Sequence, residues 1–599
     1  MAAIVVKSSA ARSADSDQSQ VHAVRSEKRE LVIDSYYGLC IALACGLGYQ
    51  PAVLAVVLLS FGLLFLALFC TRKLRIWRHM RGLALLTLPL VALVPFPVDQ
   101  ELPQYLLFYR VMCLLAFVAG VLFYSSDEKN RRKIVYGIGA GKLLLILLGV
   151  FLVRRPLIDV WQLQQLAVDF LLQGKNPYTT PVPDIYRGGY SFGHQLYYSY
   201  APLNLLLSIP AKALLGDYRY GLVASLLAAL LLFRKTGRLL GVSSYQIDFL
   251  TLLAILHPRL ERMVIYGWLE PYMILLLALC FYLWASGRGG LFATALVLCL
   301  PLLKQYVAAP LLLYVLIMRP RLAVLFGAGA LAILAVTPLL IWNFDATIRN
   351  GLLFFVRSIG FRMDSLSLAV PWFLLSGYQL GVKTSLFVQL AMGLCSLWLM
   401  PRDLPALARF VMASAASLFA SFLFAPQAFL NYYYFVSVLL LWAALLLSPS
   451  EAEQPEPAPQ SLRTTLGHAL LVVSATAAIA LFASVLYYHT LCPNRASAGQ
   501  AKLQKGMPIL DEGALLARST EQLFVCQSEH CFGPLCHQDL RCVCAEKESF
   551  QTPLILETEL GRIGQKDAQC VMDHAQPAPT DRDGKCQRAR CHERIGAAQ

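Results

Sequence analysis

Long apolar runs recur through residues 32 to 488, many of them near the roughly 20 residues a helix needs to cross a bilayer. This pattern constrains the fold more than any other feature. A soluble chain carries about a quarter charged residues, whereas only 15% of this one is charged and 57% is hydrophobic. Mean hydropathy is +0.58. The expected fold class is an all-α polytopic membrane protein.

About fifteen spans are expected, near 32–50, 52–70, 81–97, 105–124, 135–153, 218–235, 246–264, 269–286, 289–303, 305–318, 321–342, 381–400, 407–425, 430–447 and 466–488. The net charge of +15 then reads mostly as a topology signal, because basic residues gather in cytoplasmic loops. Residues 71–81 (TRKLRIWRHMR), 129–133 (KNRRK), 234–238 (RKTGR) and 318–322 (MRPRL) are the densest basic loops. All four fall on the cytoplasmic side when the N-terminus is inside. The loops 154–217 and 343–380 and the tail from about residue 489 then face outward. Nucleic-acid binding is not expected, since no long basic arm or readout motif is present. Residues 1–30 are polar and Ser-rich and read as a flexible cytoplasmic tail, with the first span serving as an uncleaved targeting signal. The Pro/Glu-rich stretch within 448–465 reads as a cytoplasmic linker before the last span, 466–488.

The tail, 489–599, is of a different kind. It holds nine of the sixteen cysteines: Cys492, Cys526, Cys531, Cys536, Cys542, Cys544, Cys570, Cys586 and Cys591. Such density in a small polar segment points to disulfides and an oxidising compartment, in agreement with the outward placement. Zinc is the rival reading, because His530, His537, His574 and His592 lie among these cysteines. The spacings do not give the paired C-x2-C knuckles of common structural zinc sites.

Three features carry candidate chemistry. Asp159 stands at the mouth of an apolar helix, in FLVRRPLIDVWQLQQLAVDFLLQGKNPY (151–178). A helix from Asp159 to about Leu172 puts Asp159, Gln162, Gln165 and Asp169 on one side and Val160, Leu163, Ala167, Phe170 and Leu171 on the other. That is an amphipathic helix suited to the membrane interface, and GKNPY ends it. The second feature is basic: Arg259, Arg262 and Lys304 near the ends of spans, followed by Arg349, Arg357 and Arg362 in the outer loop. Charge at membrane depth is expensive, and these groups suit a lipid phosphate; pairing with Glu261, Glu270 and Asp364, or snorkelling, is the plain alternative. The third is aromatic: Tyr178, Tyr186, Tyr190, Tyr197, Tyr198 and Tyr200, which suit either sugar rings or an interface belt.

On Asp159 to Tyr178, Y-x-P-L at 200–203, G-W-L-E at 267–270, Lys304 between spans, and F-R-M-D-S-L-S-L at 361–368, the chain resembles the GT-C superfamily of membrane glycosyltransferases. Within it, the chain is most similar to the polyprenyl-phosphate-sugar-dependent family 87, which includes mannosyltransferases. The resemblance covers about residues 135–447, leaving 31–134 as additional N-terminal helices. It implies a multi-helix bundle whose first outer loop is catalytic, with Asp159 as general base. It also implies a polyprenyl-phosphate donor of a mannose-like hexose or pentose and a lipid, glycan or glycolipid acceptor. Arg259, Arg262, Lys304 and Arg362 would hold the donor phosphate. Gln162, Tyr178, Tyr200 and Glu270 would line the substrate site. No cofactor or divalent metal is expected, since the donor has one phosphate. Four or five spans precede Asp159, where GT-C enzymes usually have one, and the tail has no counterpart there. A bacterial inner membrane is the expected location, with the tail outside as a surface for a protein or glycan partner. A lipid or solute transporter, or flippase, is the competing class, and a noncatalytic scaffold presenting the tail is a third.

Overall fold

The computed structural model describes residues 24–44, 51–69, 85–86, 88–90, 92–93, 103–156, 158–183, 197–288, 290–354, 362, 365–402 and 404–448. All lie in the compact unit Met1–Thr490. The span expected at 466–488, the linker and the Cys-rich tail fall outside the described residues, as does most of the span expected at 81–97.

The described elements are helices, and no strand occurs among them. The chain runs through α1 (24–44), α2 (Pro51–Phe69), α3 (Pro103–Ser125), α4 (Glu128–Leu152), α5 (Asp159–Leu172), α6 (Pro202–Leu215), α7 (Arg219–Leu239), α8 (Ser244–Ile255) and α9 (Leu260–Ile265). It continues through α10 (Glu270–Ala285), α11 (Leu291–Cys299), α12 (Ala308–Met318), α13 (Leu322–Trp342), α14 (Ala369–Ser376), α15 (Val382–Leu399), α16 (Ala406–Phe424) and α17 (Leu430–Leu446). Six of these, α2, α3, α4, α13, α15 and α16, are long and apolar enough to cross a membrane. Leu144, Ile341, Phe387 and Trp398 are between 68% and 84% exposed on such helices. Water would penalise that surface, and a hydrocarbon solvent does not. The chain is a helical, multi-pass membrane protein.

Several expected boundaries shift for identifiable reasons. The chain is already helical at residue 24, well before the expected start near 31, and Lys28 within that stretch is buried, its Nζ donating to Ala67 O and Leu68 O at 2.8 and 3.2 Å. A cation there meets the free carbonyls at the C-terminal end of α2. The single span expected at 246–264 is two helices. Pro258 disfavours helical backbone at His257 and offers no N–H, so α8 ends at Ile255 and α9 starts at Leu260. Pro301 breaks the next pair similarly: α11 passes through a 3-10 turn at Leu300–Leu302, and Lys304 is extended (φ −142°, ψ 122°) before a second 3-10 turn at Gln305–Val307.

Packing between α15 and α16 rests on small side chains. Ser417 Oγ donates to Gln389 O at 2.6 Å, and Ser385 and Ser421 hydroxyls meet at 2.8 Å. Gly393 lets Leu313 and Ser417 come within about 3.3 Å of where a Cβ would sit. Close approach through small residues is how helices pack where lipid removes the usual hydrophobic drive.

Arg219, the first residue of α7 and 1% exposed, ties two helix ends together. Nη1 donates to Val153 O and Ile265 O, both at 2.8 Å. Nη2 donates to Val150 O at 3.3 Å and Arg154 O at 3.4 Å, while Nε and Nη2 grip Asp217 Oδ2 at 2.9 and 2.7 Å. Only guanidinium has the fork to reach this many acceptors. Arg219→Ala leaves buried carbonyls and Asp217 without it, and should destabilise the protein by about 3–5 kcal/mol, read as a lowered unfolding midpoint in mixed micelles. A loss under about 1 kcal/mol would show that water replaces the guanidinium.

Candidate functional site

α5 begins at Asp159 because Pro156 and the extended Ile158 (φ −149°, ψ 136°) end the preceding segment. Asp159 Oδ1 accepts the Val160 N–H at 2.8 Å, one of the free donors of a helix start, and its charge sits at the favourable end of the helix dipole. The buried stripe of α5 is Val160, Leu163, Gln164, Ala167 and Val168. It differs from the expected face by including Gln164 and Val168, and Phe170 and Leu171 are only half-buried. Gln164 is accommodated because its amide is satisfied. Nε2 donates to Asn204 O at 2.9 Å and Ser208 Oγ at 2.7 Å, and Oε1 accepts from Tyr198 at 2.5 Å. These bonds join α5 to α6, a helix in the first expected outer loop that periodicity did not single out.

α6 in turn fixes Lys304. Asn204 Nδ2 donates to Leu303 O at 2.6 Å, filling a carbonyl that the break frees. Gln389 Nε2 does the same for Tyr306 O at 2.8 Å. Lys304 is 5% exposed. Its Nζ lies 3.5 Å from Glu270 Oε1, 5.0 Å from the Tyr200 ring centroid and 5.8 Å from that of Tyr432. Both rings suit a cation.

Glu270 arrives from the other side. Gly267, at φ +71°, ends α9 in a left-handed turn. A Cβ there would strike the Tyr218 hydroxyl, which donates to Gly267 O at 2.6 Å. Three residues later Glu270 opens α10, fully buried. Its Oε1 accepts from Asn431 Nδ2 at 2.7 Å and from Tyr306 OH at 3.4 Å, in addition to Lys304. Oε2 is buried with no hydrogen-bond partner among the described residues.

These groups form one cluster with Asp159. Tyr200 and Tyr432 both lie in the fields of Asp159 and Glu270, and the cations that act on Asp159 are Arg362 and Lys304. Arg362 stands 5.8 Å from the Phe429 ring, with its N–H on Pro426 O at 3.2 Å. Tyr306, Phe422 and Phe429 complete an aromatic wall around Tyr432.

The other expected site residues are placed elsewhere. Tyr178 is fully buried behind the cluster. Its hydroxyl donates to Tyr200 O at 3.0 Å, and its ring packs on Gly351, so it braces the wall. Gln162 is half-buried on α5. Arg259 is buried at the His257 break, where its N–H donates to His257 Nδ1 at 3.1 Å. Arg262 sits on α9 within electrostatic reach of Tyr109 on α3, beside the buried Lys142–Glu261 ion pair. Arg259 and Arg262 therefore belong to a second basic region. Asn431, Tyr306 and Tyr432 are the members that sequence reading did not single out. The one available signal was the N-Y-Y-Y run at 431–434. Among the described residues no three His, Cys, Asp or Glu side chains gather to hold a metal ion. The chain matches no known family model, no curated protein and no solved structure.

Burial lifts the Asp159 carboxyl above the ordinary carboxylate range, and the Val160 N–H, Arg362 and Lys304 pull it partly back. The native state therefore holds this proton longer than the unfolded chain does. Ionisation costs nothing below the unfolded value near 3.8, and the cost grows as pH rises to the folded value. Asp159→Asn removes it. The variant is expected to match wild type at pH 3 and to be at least as stable at pH 7, as unfolding midpoints at the two pH values will show. A variant less stable at pH 7 than at pH 3, relative to wild type, would contradict this.

Proposed function

We propose that the chain is a membrane glycosyltransferase that moves a mannose-like hexose or a pentose from a polyprenyl phosphate to a lipid or glycan hydroxyl at the outer membrane face. The observation that carries this reading is the half-buried Asp159 carboxylate in one cluster with two cations and an aromatic wall. A carboxylate whose pKa is raised by burial is a better general base than a solvated one. Lys304 and Arg362 are suited to a phosphate, and Glu270 Oε2, without a hydrogen-bond partner among the described residues, suits a sugar hydroxyl.

In this mechanism Asp159 takes the proton of the acceptor hydroxyl as its oxygen forms a bond to the anomeric carbon. The bond from that carbon to the phosphate oxygen breaks, and the electron pair leaves with the polyprenyl phosphate. The configuration at the anomeric carbon inverts. Lys304 and Arg362 stabilise the charge that develops on the leaving phosphate. Lys304 and Arg362 are two of the four cations expected to hold the donor phosphate, and Arg259 and Arg262 take no part in this step.

The extended backbone at Lys304 favours a second reading. Discontinuous helices with a charge at the break line the paths of many transporters, so lipid or solute translocation is the alternative.

Sugar transfer in proteoliposomes separates the two. With a panel of radiolabelled polyprenyl-phosphate sugars and membrane lipid extract, wild type should make a labelled product. Asp159→Asn should lower its rate about 100- to 10,000-fold. The acid limb of the wild-type rate should lie above the ordinary carboxylate range. Equal rates in the two proteins would remove Asp159 from the mechanism. Protein-dependent flipping of the labelled lipid without any product would favour the transporter.

A further inference from the structure

The stretch 24–30, expected as a tail, brings two arginines into the fold with no acid beside them. Arg29 is 1% exposed, and its Nε and Nη1 are buried with no hydrogen-bond partner among the described residues. Arg25 lies one turn earlier and is half-buried, and its Nε is buried in the same way. The i, i+4 spacing sets both guanidiniums on one face of α1. Glu27 is two positions from each arginine and Glu30 is next to Arg29, spacings that do not face one another. Glu30 accepts from Ser26 Oγ at 3.3 Å. Asp34 lies five residues beyond Arg29, about 140° around the helix axis.

A third guanidinium stands across an aromatic ring. Arg131, near the start of α4 and 2% exposed, lies 5.2 Å over Tyr245 on the first turn of α8, and its Nη1 donates to Ser126 O at 2.7 Å. The same Tyr245 is within electrostatic reach of Arg29. The acids of this region are engaged. Asp127 accepts the Asn130 N–H at 3.0 Å, Glu128 pairs with Arg132 at 2.6 Å, and Asp248 pairs with Arg234 at 2.6 Å.

Like charges at i, i+4 repel, and a buried guanidinium without a counter-ion is costly. The group that relieves both costs is an anion, and the planar fork of arginine matches phosphate oxygens two at a time. Basic pockets between membrane helices take phosphate headgroups by this chemistry. Arg131 is separated from Leu152 by roughly 30 Å along α4, and Asp159 follows that far end. The basic group and the Asp159 cluster therefore stand at opposite ends of a helix long and apolar enough to cross a membrane.

We propose that Arg25 and Arg29, with Arg131 across Tyr245, form a binding site for a phosphate group, carried by an anionic phospholipid headgroup or free in solution. The site does not depend on the glycosyl-transfer reading.

The test is a titration of the full chain, delipidated in neutral maltoside micelles, with the thermal unfolding midpoint as readout. A ligand that binds only the native state raises that midpoint. Phosphatidylglycerol and inorganic phosphate are the probes, and zwitterionic phosphatidylcholine is the lipid reference. A rise with phosphatidylglycerol alone assigns the site to lipid, and a rise with inorganic phosphate assigns it to a phosphate from solution. Arg29→Gln should weaken the apparent affinity for the effective probe about 10- to 100-fold. Arg25→Gln, at a half-buried position, should act in the same direction and serves if Arg29→Gln does not accumulate. Lys235→Gln removes the same charge from an exposed position beside Arg234, which packs on Tyr136 of α4 at this end of the bundle, and should titrate like wild type. The proposal fails if neither probe raises the midpoint, or if phosphatidylcholine raises it as much as phosphatidylglycerol. It fails equally if the arginine variants titrate like wild type, or if Lys235→Gln weakens binding as much as they do.

Discussion

Arg219 closes two helix ends at once, and both carboxylates of the candidate site hang from those ends. The guanidinium takes Val150, Val153 and Arg154 carbonyls at the end of α4 and the Ile265 carbonyl at the end of α9. From the first end the chain turns through Pro156 into Asp159; from the second it turns through Gly267 into Glu270. A helix end in water would be solvated and left to fray. In a membrane protein the free carbonyls need a partner from the chain itself, and here one buried side chain supplies it for both. The same constraint recurs at the Lys304 break, where Asn204 and Gln389 amides fill the freed carbonyls of Leu303 and Tyr306. The irregular backbone that carries the site is thus held by buried polar side chains rather than by regular helix.

How much of this was legible in the sequence differs by element. Hydropathy located α2, α3, α4, α13, α15, α16 and α17 to within a few residues, apart from the start of α4, because lipid exposure acts on every residue of a span. The breaks were harder. Pro258 and Pro301 were visible, yet whether a proline kinks, caps or splits a helix depends on which side chains meet the freed groups. Here those are Asn204 and Gln389, about 100 and 85 residues away from the Leu303–Lys304 break in sequence. Asp159, Lys304, Tyr200, Glu270 and Arg362 were legible as charges or aromatics at span ends, and the fold brings them together. Arg259 and Arg262 had the same signature and sit in another region, because α9 is separated from α8 by the Pro258 break. Gln164 could not be read at all. A glutamine on a buried stripe is a misfit until Tyr198, Asn204 and Ser208 are known to satisfy it.

Buried ion pairs occur in two forms here, and the contrast bears on function. Arg234–Asp248 is tight, at 2.6 Å, with Tyr136 against the guanidinium. Lys142–Glu261 is closer still. Pairs of this kind offset their own desolvation only through such geometry, and they read as struts between helices. Lys304–Glu270 is looser, at 3.5 Å, and Glu270 keeps one oxygen without a hydrogen bond among the described residues. Asn431 and Tyr306 share its other oxygen, so the glutamate stays in place without relying on the lysine. A lysine held by a long ion pair and two aromatic faces can turn to an incoming anion at smaller cost than one locked at 2.6 Å. Glu270 would then lose part of its compensation, and a hydroxyl donated to Oε2 would restore it. A ligand that brings an anion and a hydroxyl together satisfies both groups at once. A glycosyl phosphate is such a ligand, whereas a simple phospholipid with no free hydroxyl supplies only the anion.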